Sequence, residues 1–337
     1  MSVNANSIEA VEGADPRALP DSVLESTRPL VLRGLAAGWP LVAAGIAGTQ
    51  DAVDYLLGFY RQATVGAFLG APEIQGRFFY NEDLTGFNYR PVKVKLDTVL
   101  AEILRFEHDP NPGSLYVGST TIDTALPGMR AENDLDFGAR DPLASIWIGN
   151  RTRIAAHHDL PDNLAVVAAG RRRFTLFPPG EFENLYIGPM DFTPAGQAIS
   201  LVDFARPDLA KFPRFARALE HAVVAELGPG DAIFIPSLWW HHVESLAPLN
   251  VLVNYWWRQS PGYMDTPYHA LFLAMMTVRD LPPEQRAAFH ALFEHYVFGA
   301  SDDRFEHIPK PARRMLERFD ADRARDLRAF LLQRLNR

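Results

Sequence analysis

Arg153-Ile154-Ala155-Ala156-His157-His158-Asp159-Leu160-Pro161-Asp162-Asn163 is the densest run of metal-competent polar side chains in this chain of 337 residues. In an extended segment successive side chains point to opposite faces, so His157 and Asp159 turn one way and His158 the other. Inside a barrel that shared direction is the lumen. An imidazole and a carboxylate one residue apart can then hold one metal ion from adjoining positions.

The flanking sequence supports the extended reading. From Leu115 to Trp257 short apolar runs are separated by turn residues: Leu115–Val117, Ser145–Gly149, Leu164–Ala168, Phe174–Pro178, Ala222–Leu227, Ala232–Pro236 and Val251–Trp257. Many short strands punctuated by Gly and Pro indicate a β-sandwich or barrel. A histidine pair, His241-His242, follows Gly228-Pro229-Gly230-Asp231 and the apolar stretch Phe234–Trp240. Two histidines and one carboxylate on one side of an ion leave the opposite positions open, as in non-haem iron(II) oxygenases. A lone His-x-Asp is common, and a His-His pair after aromatics is more often packing. The order of the segments and their context carry the reading.

Outside the barrel, residues 1–110 read as α/β elements packing on it. They comprise a polar leader, a strand at Pro29–Arg33, a helix at Thr49–Gln62 capped by Thr49 or Asp51, strands at Phe78–Tyr80 and Val92–Val94, and a helix at Asp97–Phe106. Residues 111–260 form the barrel, and residues 261–337 turn helical, with helices expected at 268–278, 283–297, 311–319 and 321–336. The arginines from Arg313 to Arg337 are interleaved with acids and read as a solvated face. Leu271, Phe272, Met275, Met276, Phe289, Leu292, Phe293 and Tyr296 are more apolar side chains than two surface helices need. With Leu327, Phe330, Leu331 and Leu335 they lead to the expectation of a two-fold dimer.

The chain has no cysteine. That removes disulfides, zinc–thiolate sites, iron–sulfur clusters and thiol nucleophiles, and leaves nitrogen and oxygen to bind any metal. A net charge of −8 argues against a general affinity for nucleic acid or anionic membrane. No apolar run approaches the roughly 20 residues needed to cross a bilayer, and Met1–Pro20 lacks the basic start and apolar core of a signal peptide. A soluble, cytoplasmic protein without membrane or nucleic-acid partners is expected.

These segments together resemble the JmjC/cupin-8 family of iron(II)- and 2-oxoglutarate-dependent oxygenases, and within it the asparaginyl hydroxylase that inhibits hypoxia-inducible factor. The likeness runs from Arg28-Pro29-Leu30-Val31-Leu32-Arg33-Gly34 to Asn254-Tyr255-Trp256. It is most specific at His157-x-Asp159, at Asn163, at Leu176-Phe177-Pro178-Pro179 and from Pro229 to Ser245. The resemblance implies a mainly β fold, a double-stranded β-helix or jelly roll, with N-terminal α/β elements and a C-terminal helical region. By position, His157, Asp159 and His241 match the iron ligands, while His158 and His242 fall to supporting or packing roles. Asn163 and Asn254 match residues near the cosubstrate's 1-carboxylate, Tyr116 a tyrosine that hydrogen-bonds its 5-carboxylate, and Trp256 an aromatic beside the metal.

Two positions depart from the family pattern. Arg172 stands where the family has a lysine, and a guanidinium can grip the 5-carboxylate bidentately; on a strand Arg171 and Arg173 face the other side. Ile154 replaces a threonine, so Thr152 or Thr175 is expected to supply the missing hydroxyl. Ile148, Leu164, Val166, Phe174 and Trp256 are expected to wall the lumen against water, and Gly76–Glu82 with the loop Ile122–Asp136 to border its mouth. The implied activity uses iron(II), 2-oxoglutarate and dioxygen to hydroxylate a protein or peptide side chain. The alternatives are a metal-dependent cupin enzyme acting on a small molecule and a non-catalytic JmjC-like binding module. The resembling hydroxylase also dimerises through helices that follow its barrel.

Overall fold

Beyond Asn163 the run to Ala169 carries no polar residue, and a strand of that texture has to be covered on both faces. In the computed structural model every residue of Asp162–Ala169 is buried. The structure describes residues 6–194, 196–299 and 302–336; the first five residues of the leader and Arg337 of the arginine-rich end lie outside them. The chain divides into two compact units, Met1–Arg258 and Gln259–Arg337.

The first unit begins with β1 (Asn6–Ser7), β2 (Glu9–Val11), β3 (Leu30–Leu32), β4 (Thr64–Gly70), β5 (Arg77–Phe78) and β6 (Tyr89–Lys95). It continues with β7 (Ser114–Thr121), β8 (Leu143–Gly149), β9 (Arg153–His157), β10 (Asp162–Ala169) and β11 (Arg172–Phe177). Last come β12 (Val223–Leu227), β13 (Ala232–Ile235), β14 (Trp240–Ser245) and β15 (Asn250–Trp257). They make a six-stranded sheet, β1-β12-β11-β14-β9-β5, and a nine-stranded sheet, β2-β3-β13-β10-β15-β8-β7-β4-β6. This is a jelly roll whose sheets are extended by N-terminal strands.

Two apolar layers follow from the double coverage of the large sheet. Ala165, Val167, Ile233 and Leu252 pack with Phe174, Leu176 and Val243 of the small sheet. Leu164, Val166, Ala168 and Val253 point the other way, against Leu41, Val53, Leu56 and Leu100 of the N-terminal helices. Gly45 marks the closest approach of that layer: a Cβ there would lie 2.6 Å from the Ala168 carbonyl oxygen, so only glycine lets the helix Pro40–Ala47 settle onto β10. Gly170, with φ +77°, turns the chain from β10 in one sheet to β11 in the other.

Several local expectations need correction. The helix at Thr49 ends at Phe59, and Gly48 occupies the cap position. The Thr49 hydroxyl donates to Glu107 instead, at 2.8 Å, and Asp51 sits inside the first turn. The strand Thr64–Gly70 was not anticipated, because two glycines interrupt its alternation. The loop Ile122–Asp136 buries Ile122, Leu126, Met129 and Leu135 in the helical layer rather than bordering the cavity.

Within Gln259–Arg337, helices span Pro267–Thr277, Pro283–Phe293 and Ala321–Leu335. The second widens into a π-helical turn, Glu294–Phe298, instead of staying regular to 297. No continuous helix covers 311–319. Lys310–Arg313 makes one turn, and Arg314 at φ +49° breaks it before a short 3-10 turn. None of the three long helices contains a buried residue.

Candidate active site

The centre of the site is a cross-strand pair. β14 and β9 run antiparallel with His241 opposite His157, and their ring centroids lie 4.3 Å apart. Each ring is oriented by the carbonyl two residues before it: His157 Nδ1 lies 2.9 Å from the Ala155 oxygen, and His241 Nδ1 3.0 Å from the Trp239 oxygen. A carbonyl can only accept, so Nδ1 carries the proton and Nε2 keeps its lone pair for a metal. Asp159 completes the set, with Oδ2 3.6 Å from His241 Nε2. One ligand atom from each of the three lies within 4.8 Å of the others, a grouping that could hold a metal ion. Burial lowers His241 to about 4, which favours the neutral, ligating form.

The sequence placed Asp159 on the strand with His157. The structure ends β9 at His157 and carries Asp159 on the irregular link to β10. His158 packs its ring 4.3 Å from that of Trp240, and His242 packs on Phe204 at 4.6 Å. Neither belongs to the metal-competent group.

A cavity of about 450 Å³ opens from the triad, lined also by Tyr116, Asn163, Arg172, Asn254 and Trp256. All five residues anticipated beside a cosubstrate therefore face one space. Arg172 is 2% exposed, and burial lowers it to about 10, so it remains a cation at neutral pH. Among the described residues its Nε and Nη2 have no hydrogen-bond partner. Tyr116 is fully enclosed beside it, and burial raises its hydroxyl above the usual phenol range, keeping it a neutral donor. Arg171 and Arg173 face away and pair with Glu226 at 3.2 and 2.6 Å. The alternation along β11 thus selects Arg172.

At the other side of the cavity, Trp147 Nε1 donates to Asn254 Oδ1 at 2.7 Å, and Asn254 Nδ2 donates to Asn163 Oδ1 at 3.2 Å. Trp256 stands edge-on to Trp147, with centroids 5.6 Å apart, and its Nε1 is buried without a partner.

The walls differ from expectation in three respects. Ile148, Leu164 and Val166 belong to the helical layer; Trp147 and Ala165 occupy the cavity side of β8 and β10, together with Phe174 and Trp256 as expected. Neither Thr152 nor Thr175 lines the cavity. Thr152 donates to Ser245 Oγ at 3.1 Å, and Thr175 alternates outward between Phe174 and Leu176. The serine that does line it is Ser119, an exposed residue whose hydroxyl donates to Ser145 Oγ at 3.0 Å. It lies within an irregularity of register between Val117 and Thr120, a bulge whose sequence signal is the glycine at 118. Of Gly76–Glu82, Phe78 lines the cavity, joined by Phe68 and Tyr89, which the sequence reading missed.

Comparison with known proteins places this geometry in context. Residues 16–263 match the family of cupin-like domains. Bovine HSPB1-associated protein 1 is 30% identical over 190 residues, 52% of this chain and 39% of that protein. Lysine-specific demethylase JMJ31 of Arabidopsis thaliana is 28% identical over 292 residues, 77% of this chain and 52% of its own length. Human tRNA wybutosine-synthesizing protein 5 is 35% identical over 126 residues, 37% of this chain and 34% of its own. The chain spans about half or less of each relative's length.

Proposed function

Because the chain belongs to the cupin-like domain family, with JmjC-type oxygenases among its relatives, we propose that it is an iron(II)- and 2-oxoglutarate-dependent hydroxylase acting on a protein or peptide side chain. The observation that carries the reading is Arg172. A buried guanidinium with two unmade hydrogen bonds is costly unless a carboxylate arrives, and it shares a cavity with a His/Asp/His group. A dicarboxylate reaching from the metal to Arg172 and Tyr116 answers both ends at once. That chemistry is what separates this reading from a metal enzyme without a dicarboxylate cosubstrate and from a binding module without a reaction.

In this reading His157, Asp159 and His241 hold iron(II). When iron, 2-oxoglutarate and dioxygen are bound together, they supply oxidative decarboxylation to succinate and carbon dioxide with transfer of one oxygen atom into a C–H bond. Arg172 and the Tyr116 hydroxyl fix the far carboxylate, while the Asn163–Asn254–Trp147 chain orients the near one. Phe174, Trp147 and Trp256 exclude water from the space between. Phe68, Phe78 and Tyr89 pack edge to face or tilted, with centroids 5.1–6.3 Å apart, and offer the substrate an aromatic wall.

Calorimetry of 2-oxoglutarate against the protein loaded with manganese(II), followed by a succinate-release assay with iron(II), tests the assignment. Binding and iron-dependent succinate are expected. Absence of 2-oxoglutarate binding by the metal-loaded protein sinks it.

The helical unit supports a second proposal, a homodimer formed through its apolar faces. Leu271, Phe272, Phe289, Leu292, Phe330 and Leu331 are exposed there, a surface that a second copy can bury. Light scattering should give twice the 37.7 kDa chain mass, and Leu292→Glu should return it to one; a wild-type mass of one chain refutes the dimer.

A further inference from the structure

Strand alternation aims His157, but nothing in a β-ladder aims Asp159. The link His158-Asp159-Leu160-Pro161 is irregular, and it is held by the turn Pro236-Ser237-Leu238-Trp239 between β13 and β14. Leu238 N–H donates to the Asp159 carbonyl at 2.9 Å. Ser237 Oγ donates to the Leu160 carbonyl at 2.6 Å, and Ser237 N–H donates to Asp162 Oδ1 at 2.8 Å. The same turn ends in Trp239, whose carbonyl accepts from His241 Nδ1 at 3.0 Å. One four-residue turn therefore grips the carboxylate's loop on one side and an imidazole on the other.

The backbone of the turn is unusual in a way that matches this task. Leu238 has φ +66°, a left-handed conformation that an L side chain with a Cβ disfavours. Its side chain is 39% exposed, so burial of the leucine does not account for the conformation. The conformation closes the turn, whose Trp239 N–H donates to the Pro236 carbonyl at 3.2 Å, while the Leu238 N–H is left to donate to Asp159. Strain of this kind persists where the surrounding structure over-determines it, and it clusters at functional sites.

We propose that the Pro236–Trp239 turn is the positioning element of the metal centre, with Ser237 as its decisive side chain, setting the Asp159 carboxylate against the His241 imidazole. The inference rests on the metal reading above. Ser237 touches no metal ligand atom itself; it acts through the Asp159 loop.

Cobalt(II) titration of the metal-free protein, read by its visible absorption bands, tests the role in wild type, Ser237→Ala, Ser237→Val and Ser237→Thr. Valine and threonine have the same shape, so their difference isolates the hydroxyl. Loss of an outer hydrogen bond at a metal site weakens binding by about 10- to 100-fold. Ser237→Ala and Ser237→Val should bind cobalt at least about tenfold more weakly with displaced bands, Ser237→Thr should recover both, and the metal-free melting temperature should hold across the set. Wild-type affinity and bands in Ser237→Ala and Ser237→Val overturn the proposal, as does a loss that threonine fails to restore. If wild type itself takes up no cobalt, the metal reading falls and the positioning role with it.

Discussion

The two ends of the cavity are built on opposite principles. At the metal end both imidazoles are already oriented by their own strands' carbonyls, at 2.9 and 3.0 Å, and the Asp159 loop is tied to a neighbouring turn. At the far end Arg172 sits in a fully buried position with Nε and Nη2 unpaired, beside the Tyr116 hydroxyl. The first end has its polar groups fixed by protein partners, whereas at the second two guanidinium nitrogens find none among the described residues. Preorganisation lowers the cost of ordering a site on binding, while an unpaired buried charge stores a penalty that binding relieves. The cavity uses both devices within one fold.

The sharpest break in that contrast is His241→Ala. It removes one of three protein ligands, and the expected outcome is loss of measurable cobalt(II) or manganese(II) binding and of iron-dependent succinate release, checked by titration and assay. Retention of tight metal binding would mean that the triad is not the centre.

A two-sided effect is expected of Arg172→Met. The charge-assisted pair it would deny to 2-oxoglutarate is worth roughly 1.5–3 kcal/mol, or about a ten- to hundred-fold rise in the dissociation constant at unchanged metal affinity. In the ligand-free protein the same change removes an uncompensated buried charge, so unfolding by denaturant should require roughly 1–3 kcal/mol more, not less. A destabilised ligand-free variant would show that Arg172 serves the fold rather than a ligand.

The smallest effect belongs to the neighbour on the other face. Arg173 pairs with Glu226 and Glu244 on a half-exposed surface, and such pairs contribute about 0–1 kcal/mol. Arg173→Ala should leave 2-oxoglutarate affinity unchanged and shift stability by less than about 1 kcal/mol. Equal damage from Arg172→Met and Arg173→Ala would erase the distinction between the two faces of β11.

Patterns that depend on near neighbours were legible in the chain itself. The period of two separates Arg172 from Arg171 and Arg173, the turn Gly228–Asp231 announces β13, and the order of His157, Asp159 and His241 singles out the metal group. The five positions matched by the family resemblance line one cavity. What misled was a choice that alternation cannot make. It shows that Leu164 and Val166 face opposite to Asn163 and Ala165, but β10 is covered on both sides, so apolar character no longer tells which set meets the cavity. Ser119 escapes that alternation for a related reason: a bulge between Val117 and Thr120 shifts the phase that a regular strand would keep.

Sequence by itself determined most of the barrel strands and the face of β11 that carries Arg172, because each follows from spacing along a few residues, while the triad His157, Asp159 and His241 came from the family resemblance. Only the tertiary structure decided how Asp159 is aimed, since the turn that holds its loop lies about 75 residues away in the chain and is brought alongside by the pairing of β10 with β13 and of β14 with β9. It also decided that Arg172 Nε and Nη2 find no hydrogen-bond partner among the described residues and that the long C-terminal helices bury no residue. Both are properties of what surrounds a side chain in space, and a residue's own neighbours in sequence do not specify its neighbours in the fold.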